Sequence, residues 1–170
     1  MTEGELILNE SHTILKYLHL SRNCGDHWYP KDVKKRAIID QGLDWHHTHL
    51  RWDVYQKLQR VFLMPLLNLK PKRGELKKYS KILHQSLKSL NSILEGQKYY
   101  CGDEIAIVDL SLSAEINSLW SITKNLSRYP NIQEWMERLK EIPEIKHTFE
   151  KVEEQFFKSN KISSKILAKI

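Results

Sequence analysis

Three histidines stand close together in the chain, at His46, His47 and His49. A pair of histidines three residues apart on a helix can ligate a metal ion such as zinc. Zinc motifs also require further Cys or His ligands at a supporting spacing, and none stands near these three. We therefore predict no metal site. An apolar stripe passes through His46 and His47, which favours half-buried histidines on one face of a helix.

An aspartate, Asp109, interrupts the apolar run YYCGDEIAIVDLSLSAEI between Tyr99 and Ile116. A carboxylate buried without partners is costly, so its neighbours must compensate for the burial. No His, Cys or second carboxylate stands at a helical spacing that would complete a catalytic pair or a ligand set. On the first turn of a predicted helix, however, a carboxylate bonds free backbone N–H groups and suits the helix dipole. We predict that Asp109 is a structural helix cap.

The apolar spacing predicts the elements that must position these residues. Helical stripes cover residues 32–62, 76–94 and 107–122, and two further helices begin at Pro130 and Pro143. The segment ELIL, residues 5–8, is the strand candidate, and a short helix follows it to about Leu20. Because a strand needs partners for its backbone groups, we expect its partners to lie outside this sequence. The predicted class is all-α.

Composition narrows the possible functions. The 170 residues carry 27 basic and 21 acidic side chains, a net charge of +6. The lysines are spread over every predicted helix, so we predict no nucleic-acid partner. No apolar run reaches the ~20 residues of a membrane span, and we predict no membrane partner. The N-terminus does not read as a signal peptide, and Cys24 and Cys101 resemble free thiols, so a cytoplasmic location is expected.

Four segments resemble the cytosolic glutathione transferases, in the order in which that family has them. GELILNESHTILKYL resembles the last strand and helix of the family's thioredoxin-like domain. YPKDVKKRAIIDQGLDWHHTHLR resembles the first helix of its all-α domain, and WHHTHLR is close to the theta class. GDEIAIVDLSLSAEI and RYPNIQEWMERLKEIPEIK resemble two later helices of that domain.

The resemblance implies four parts. Residues 1–22 would be a remnant of the thioredoxin-like domain, 23–30 a linker, 31–158 the C-terminal helical domain and 159–170 a basic tail. Asp109 matches the aspartate of the family's capping box, whereas Ala106 replaces its hydroxyl residue. Losing that cap costs about 1 kcal/mol unless something else compensates. We expect the tail to be disordered. Alternatively, because Ile162, Ile166 and Ile170 recur every four residues, it forms a short amphipathic helix, and theta enzymes use a C-terminal extension as a lid over the active site.

The resemblance also implies functional residues. Glu10 and Ser11 would hold the γ-glutamyl end of glutathione, and ordinary helix capping is the alternative for both residues. Glutathione would be a co-substrate, and no cofactor is expected. The residues that would line the site for a hydrophobic electrophile are Trp45, His46, His49, Arg51, Trp52 and Tyr55. For the aromatic residues core packing is the alternative. For Arg51 the alternative is a salt bridge to a nearby carboxylate such as Asp53, or exposure to solvent.

One departure limits the expected activity. In the family, the serine that activates the glutathione thiol and a cis-proline loop precede the segment with which this sequence begins. We therefore expect weak or absent conjugation by these residues alone, can name no thiol-activating residue, and leave open whether the chain forms the family's homodimer. Two alternatives remain, a non-catalytic helical docking module of a protein assembly and a decaying duplicate without function.

Overall fold

The computed structural model describes the backbone of residues 1–159, and side chains there except those of residues 66 and 156–159. The helices are α1 (Ser11–Ser21), α2 (Val33–Trp45), α3 (Arg51–Leu58), α4 (Met64–Leu66), α5 (Glu75–Ile93), α6 (Ile107–Thr123), α7 (Pro130–Lys140) and α8 (Pro143–Ser159). The predicted all-α class is confirmed, the bounds of α5 and α6 agree with the stripes to within a residue, and α7 and α8 begin at Pro130 and Pro143 as predicted. The predicted tail, apart from Ser159 at the end of α8, lies outside the described residues.

The expected solitary strand is paired within the chain, which corrects the sequence prediction. β1 (Thr2–Glu3) and β2 (Leu6–Ile7) form an antiparallel hairpin, in which Thr2 faces Ile7 and Glu3 faces Leu6. Gly4 occupies the turn with a positive φ of 57°. A hairpin this short was missed because β1 carries neither alternation nor a β-branched run.

The predicted helix over residues 32–62 is one helical path interrupted by two π turns. The first π turn, His46–Leu50, joins α2 to α3, and the second, Gln59–Leu63, joins α3 to α4. The path starts where Asp32 accepts a hydrogen bond from the backbone N–H of Lys35 at 2.8 Å. π turns arise as local bulges within helices, so apolar periodicity does not reveal them.

The core lies around α6, whose residues are buried on most sides. The stripe of the long path is buried as expected, with Ile39, Leu43, Leu50 and Val54 at most 1% exposed. Gly42 lets α2 approach α6 and the loop before it closely, because a Cβ there would lie 2.7 Å from Cγ2 of Val108 on α6 and 2.6 Å from the Tyr100 ring in the loop. Leu76, which was expected in the buried stripe of α5, is exposed in the first turn of that helix.

Candidate functional site

A cleft of about 400 Å³ opens where the start of α1 meets the first π turn, the start of α3 and one side of α6. Its lining includes Ser11, Leu15, His46, Arg51, Leu110 and Glu115. Ser11 comes from the predicted glutathione corner, whereas His46 and Arg51 come from the predicted electrophile site. The fold therefore brings these two predictions together, although the residues are separated by more than thirty positions in the sequence.

The start of α1 is unusual at Glu10. This residue is the N-cap of α1 with φ 66° and ψ 118°, and its side chain makes no hydrogen bond to the helix. Ser11 is the first residue of the helix. The Glu10 carboxylate is 73% exposed, and its Oε2 lies 3.5 Å from Nε2 of His47. The capping alternative therefore does not hold for Glu10, and its strained backbone belongs to a class that often occurs at ligand sites.

A histidine that sequence reasoning missed, His12, lies against the first π turn. Its Nε2 is 3.0 Å from Nδ1 of His46, and its ring centroid is 4.2 Å from that of His47. Burial is the main cause that lowers the pKa of His12 to about 4, and the neighbouring His47 and His46 contribute to the same shift. Its ring is therefore neutral near pH 7. His12 follows the predicted Glu10–Ser11 pair directly, and this proximity was the available signal.

Glu115 on α6 is a second residue that sequence reasoning missed. Its Oε1 lies 3.4 Å from Nε of Arg51 and 3.6 Å from Nε2 of His46. Asp53, the example of a carboxylate partner given in the alternative for Arg51, is instead buried and accepts a hydrogen bond from the Ser86 hydroxyl. Asp53 stands two positions after Arg51, and such residues point to different sides of a helix. The Arg51 side chain remains half exposed at the edge of the cleft.

The other predicted electrophile residues form two pairs apart from this cleft. Trp45 stacks on His49 with centroids 6.2 Å apart, and Trp45 lines a different cavity of about 410 Å³ with Tyr100 and Cys101. Trp52 and Tyr55 contact each other on the surface, where they are 56% and 49% exposed. Core packing therefore does not explain this second pair. A further cavity of about 730 Å³, between residues 26–39 and 101–106, is lined by none of the predicted site residues.

Asp109 is fully buried on the first turn of α6 and accepts three N–H donors. Its Oδ2 accepts from the backbone of Ala106, and its Oδ1 accepts from the backbone of Tyr100 and the indole of Trp135, each at 2.9 Å. Burial raises the pKa of Asp109, and these hydrogen bonds oppose that rise. Ala106 supplies no side-chain acceptor, so only the Asp109 half of a capping box is present. These are the contacts of a structural cap.

Comparison with known proteins places these features in context. Residues 52–152 match the family described as "Glutathione S-transferase, C-terminal domain". The chain is 34% identical to glutathione S-transferase T1 of Arabidopsis thaliana, an alignment that covers 96% of this chain and 73% of that protein. It is 32% identical to glutathione S-transferase theta-1 of Gallus gallus over 83% of this chain, which spans only 55% of that protein.

A solved structure gives the same architecture. The apo form of human glutathione-S-transferase T1-1 superposes with a TM-score of 0.80, covering 99% of this chain and 72% of that one. At 24% sequence identity this likeness shows the fold alone. None of the helices in residues 1–159 is long and apolar enough to cross a membrane.

Proposed function

The chain belongs to the glutathione S-transferase family and has theta-class relatives, and we propose that it takes part in joining the glutathione thiolate to electrophilic small molecules. In this proposal the chain supplies the electrophile-binding wall and one corner of the glutathione site. The observation that carries it is the cleft in which Ser11 lies with His46 and Arg51. A transferase needs the two substrates side by side, and this cleft joins a candidate residue for each.

The start of α1 offers groups that suit the γ-glutamyl end of glutathione. The first N–H groups of a helix and its dipole attract an anion, and the Ser11 hydroxyl adds a donor beside them. A carboxylate of the γ-glutamyl end suits this position. The Glu10 carboxylate, which does not cap the helix, is available for the ammonium group of the same end. The pair therefore matches both charges of the γ-glutamyl group.

Arg51 is the charged group on the electrophile side of the cleft. Its guanidinium is half exposed at the cleft and is bound to Glu115 by an ion pair of 3.4 Å, which is weak at such exposure. Arg51 can therefore turn towards a thiolate or an anionic leaving group. In the reaction, the thiolate sulfur forms a bond to the electrophilic carbon, and the leaving group departs with its electron pair. Leu15 and Leu110 give the cleft an apolar wall.

The proposal needs glutathione as a co-substrate and a hydrophobic electrophile. The thiols of Cys24 and Cys101 are unpaired, which suits the reducing conditions of the cytoplasm. The exposed Trp52–Tyr55 pair is compatible with the alternative docking function. That alternative, however, gives no role to a cleft that joins Ser11 to Arg51, so we favour the transferase.

The test is a titration of the isotope-labelled chain with reduced glutathione, followed by NMR. Because the chain offers one corner of the site, we expect weak binding with a Kd on the order of 1 mM. The amide signals of Ser11 and His12 should shift most. Ser11→Ala should weaken binding about fivefold through loss of one hydrogen bond. The control Ser89→Ala removes an exposed hydroxyl on α5 and should leave binding unchanged.

Two results would overturn the proposal. One is that no amide near Ser11 shifts, and the other is that Ser11→Ala binds glutathione as the wild type does. Conjugation assays with an alkyl halide and an aryl halide then measure what the chain does alone. We expect slow or undetectable turnover, and a robust rate would contradict the limited role assigned to these residues.

A further inference from the structure

We propose that His12, His46 and His47 form a binding site for a zinc-type divalent cation. One nitrogen from each ring lies within 4.8 Å of the others, so the three can converge on a single ion. The site joins α1 to the first π turn and does not depend on glutathione. The sequence-based prediction of no metal site assumed that no further histidine was available, and His12 removes that premise.

The distances suit a small ion. Zinc binds imidazole nitrogens at about 2.0–2.1 Å, so two ligands of one tetrahedral ion lie about 3.3 Å apart. His12 Nε2 and His46 Nδ1 are already 3.0 Å apart. The third ring, that of His47, offers a nitrogen within 4.8 Å of the other two, and its side chain is one-third exposed. The bound ion would replace the hydrogen bond between His12 and His46.

The π turn explains how two adjacent residues reach the same partner. His46 and His47 are its first two residues, and both rings contact His12. A π turn widens the helix locally, and such turns occur frequently at functional sites. A hydrogen bond alone would account for His12 and His46. It would not account for the third ring at 4.2 Å from His12.

Two carboxylates, those of Glu10 and Glu115, lie beside the histidines of the proposed metal site. With Nδ1 of His46 facing His12, its other nitrogen, Nε2, is buried without a hydrogen bond and lies 3.6 Å from Glu115 Oε1. A metal-bound histidine usually donates its second N–H to a carboxylate, which fixes the ring. Glu10 Oε2 lies 3.5 Å from His47 Nε2 and is a candidate for a fourth ligand when glutathione is absent.

The ligand chemistry selects the class of ion. Imidazole suits zinc, copper and nickel, whereas magnesium and calcium prefer oxygen ligands. The test is calorimetry of the untagged, chelator-treated full chain with zinc chloride and, separately, magnesium chloride. We expect one zinc per chain and no magnesium binding. Cobalt(II) provides a spectroscopic readout, since nitrogen ligands in a tetrahedral site give it intense visible absorption.

Matched variants locate the ion. His12→Asn and His47→Asn should each weaken zinc binding at least tenfold, whereas His147→Asn, at an exposed position on α8, should not change it. Circular dichroism checks that each variant is folded. His47 is one-third exposed, so His47→Asn carries the test if His12→Asn unfolds.

The outcomes separate cleanly. Stoichiometric zinc binding that the His12 or His47 variant loses supports the site. Absence of zinc binding, or zinc binding that survives both the His12 and the His47 variant, overturns it. Because no glutathione is present, either result is independent of the glutathione titration at Ser11.

Discussion

The indole N–H of Trp135 donates to Oδ1 of Asp109 at 2.9 Å, and both residues are fully buried. Trp135 lies in the middle of α7, and Asp109 lies on the first turn of α6. The same carboxylate also holds the backbone of Tyr100 and Ala106. One side chain thus ties two helices and the loop before α6, so its removal should weaken the whole helical domain.

The first prediction concerns removal of this carboxylate. Asp109→Ala leaves three buried N–H donors without an acceptor, each costing about 1–3 kcal/mol, and should lower the free energy of unfolding by about 4 kcal/mol. Trp135→Phe keeps most of the packing and removes one donor, so it should cost about 1–2 kcal/mol. Denaturant unfolding followed by circular dichroism measures both.

Asp103→Ala is the control for that series, because Asp103 is an exposed aspartate in the preceding loop. It should change the free energy of unfolding by less than about 0.5 kcal/mol. If Asp109→Ala proves no more damaging than Asp103→Ala, the structural role assigned to Asp109 is wrong.

The second prediction restores the missing half of the capping box. Ala106 is the N-cap of α6 with the extended backbone that this position requires, φ −132° and ψ 170°. Ala106→Ser supplies an acceptor for the N–H groups of the first turn and should stabilise the chain by about 1 kcal/mol. Ala114→Ser, at an exposed position within α6, offers no such bond and should not stabilise it. Equal stability of the two variants would contradict the prediction.

The helical part of the fold could be predicted from the sequence because the buried face of a helix requires apolar residues at a regular spacing. The positions of Leu43, Leu50 and Val54 in the stripe predict a buried face, and all three are buried. The role of Asp109 was accessible because it depends on local geometry at a helix start. In contrast, Leu76 satisfies the same periodicity but is exposed, because the first turn of α5 extends beyond the core.

The arrangement of the site was only partly accessible. His12 and His46 meet across 34 positions, and Glu115 reaches Arg51 from another helix. Such pairs depend on how helices pack, which apolar periodicity along one helix does not encode. The π turn that presents His46 and His47 together also leaves no periodic signal. The family resemblance was enough to select Glu10, Ser11 and Arg51 as candidate site residues. Only the fold shows which of the candidate site residues line the same cleft.

The third prediction concerns the backbone of Glu10. Glu10 has a φ of 66°, in a part of the Ramachandran plot that residues other than glycine rarely occupy. Such a backbone costs about 1–3 kcal/mol of folding free energy, and glycine relieves most of that cost. Glycine also gains entropy in the unfolded chain, about 0.5–1 kcal/mol. Glu10→Gly should therefore raise the free energy of unfolding by about 1 kcal/mol, although it removes the carboxylate proposed for glutathione.

Glu10→Ala separates the backbone from the side chain. It removes the same carboxylate but keeps a Cβ, so the strained φ remains and stability should not rise. Without backbone strain at Glu10, the Gly variant would be less stable than the Ala variant by the entropy cost of glycine, and that result would contradict the prediction. The same two variants should weaken glutathione binding to a similar extent, because both lack the carboxylate.

The fourth prediction concerns stability between pH 7 and pH 5. The pKa of His12 is about 4 in the folded chain, against 6.5 when unfolded, so between these values the unfolded chain binds a proton that the folded chain does not. Lowering the pH therefore favours unfolding. From about pH 7 to about pH 5, His12 should cost about 2 kcal/mol. Denaturant unfolding in the presence of a chelator measures this without bound metal.

The surroundings of His12 explain why the folded chain resists its protonation. The ring is buried and faces the imidazoles of His46 and His47, with the cations of Lys16 and Arg51 nearby. Of the neighbouring carboxylates, Glu10 lies beside His47 and Glu115 beside His46. Neither is paired directly with His12 among the described contacts, so a proton on this ring has no counter-charge in contact with it.

Substitution of His12 isolates its contribution to this pH dependence. His12→Asn should remove about 2 kcal/mol of the loss between pH 7 and pH 5, whatever its effect on stability at pH 7. His147→Asn replaces an exposed histidine and should leave the loss unchanged. A pH dependence that is the same in all three proteins would mean that His12 is protonated as readily in the folded chain as in the unfolded one, contrary to its buried position between α1 and the first π turn.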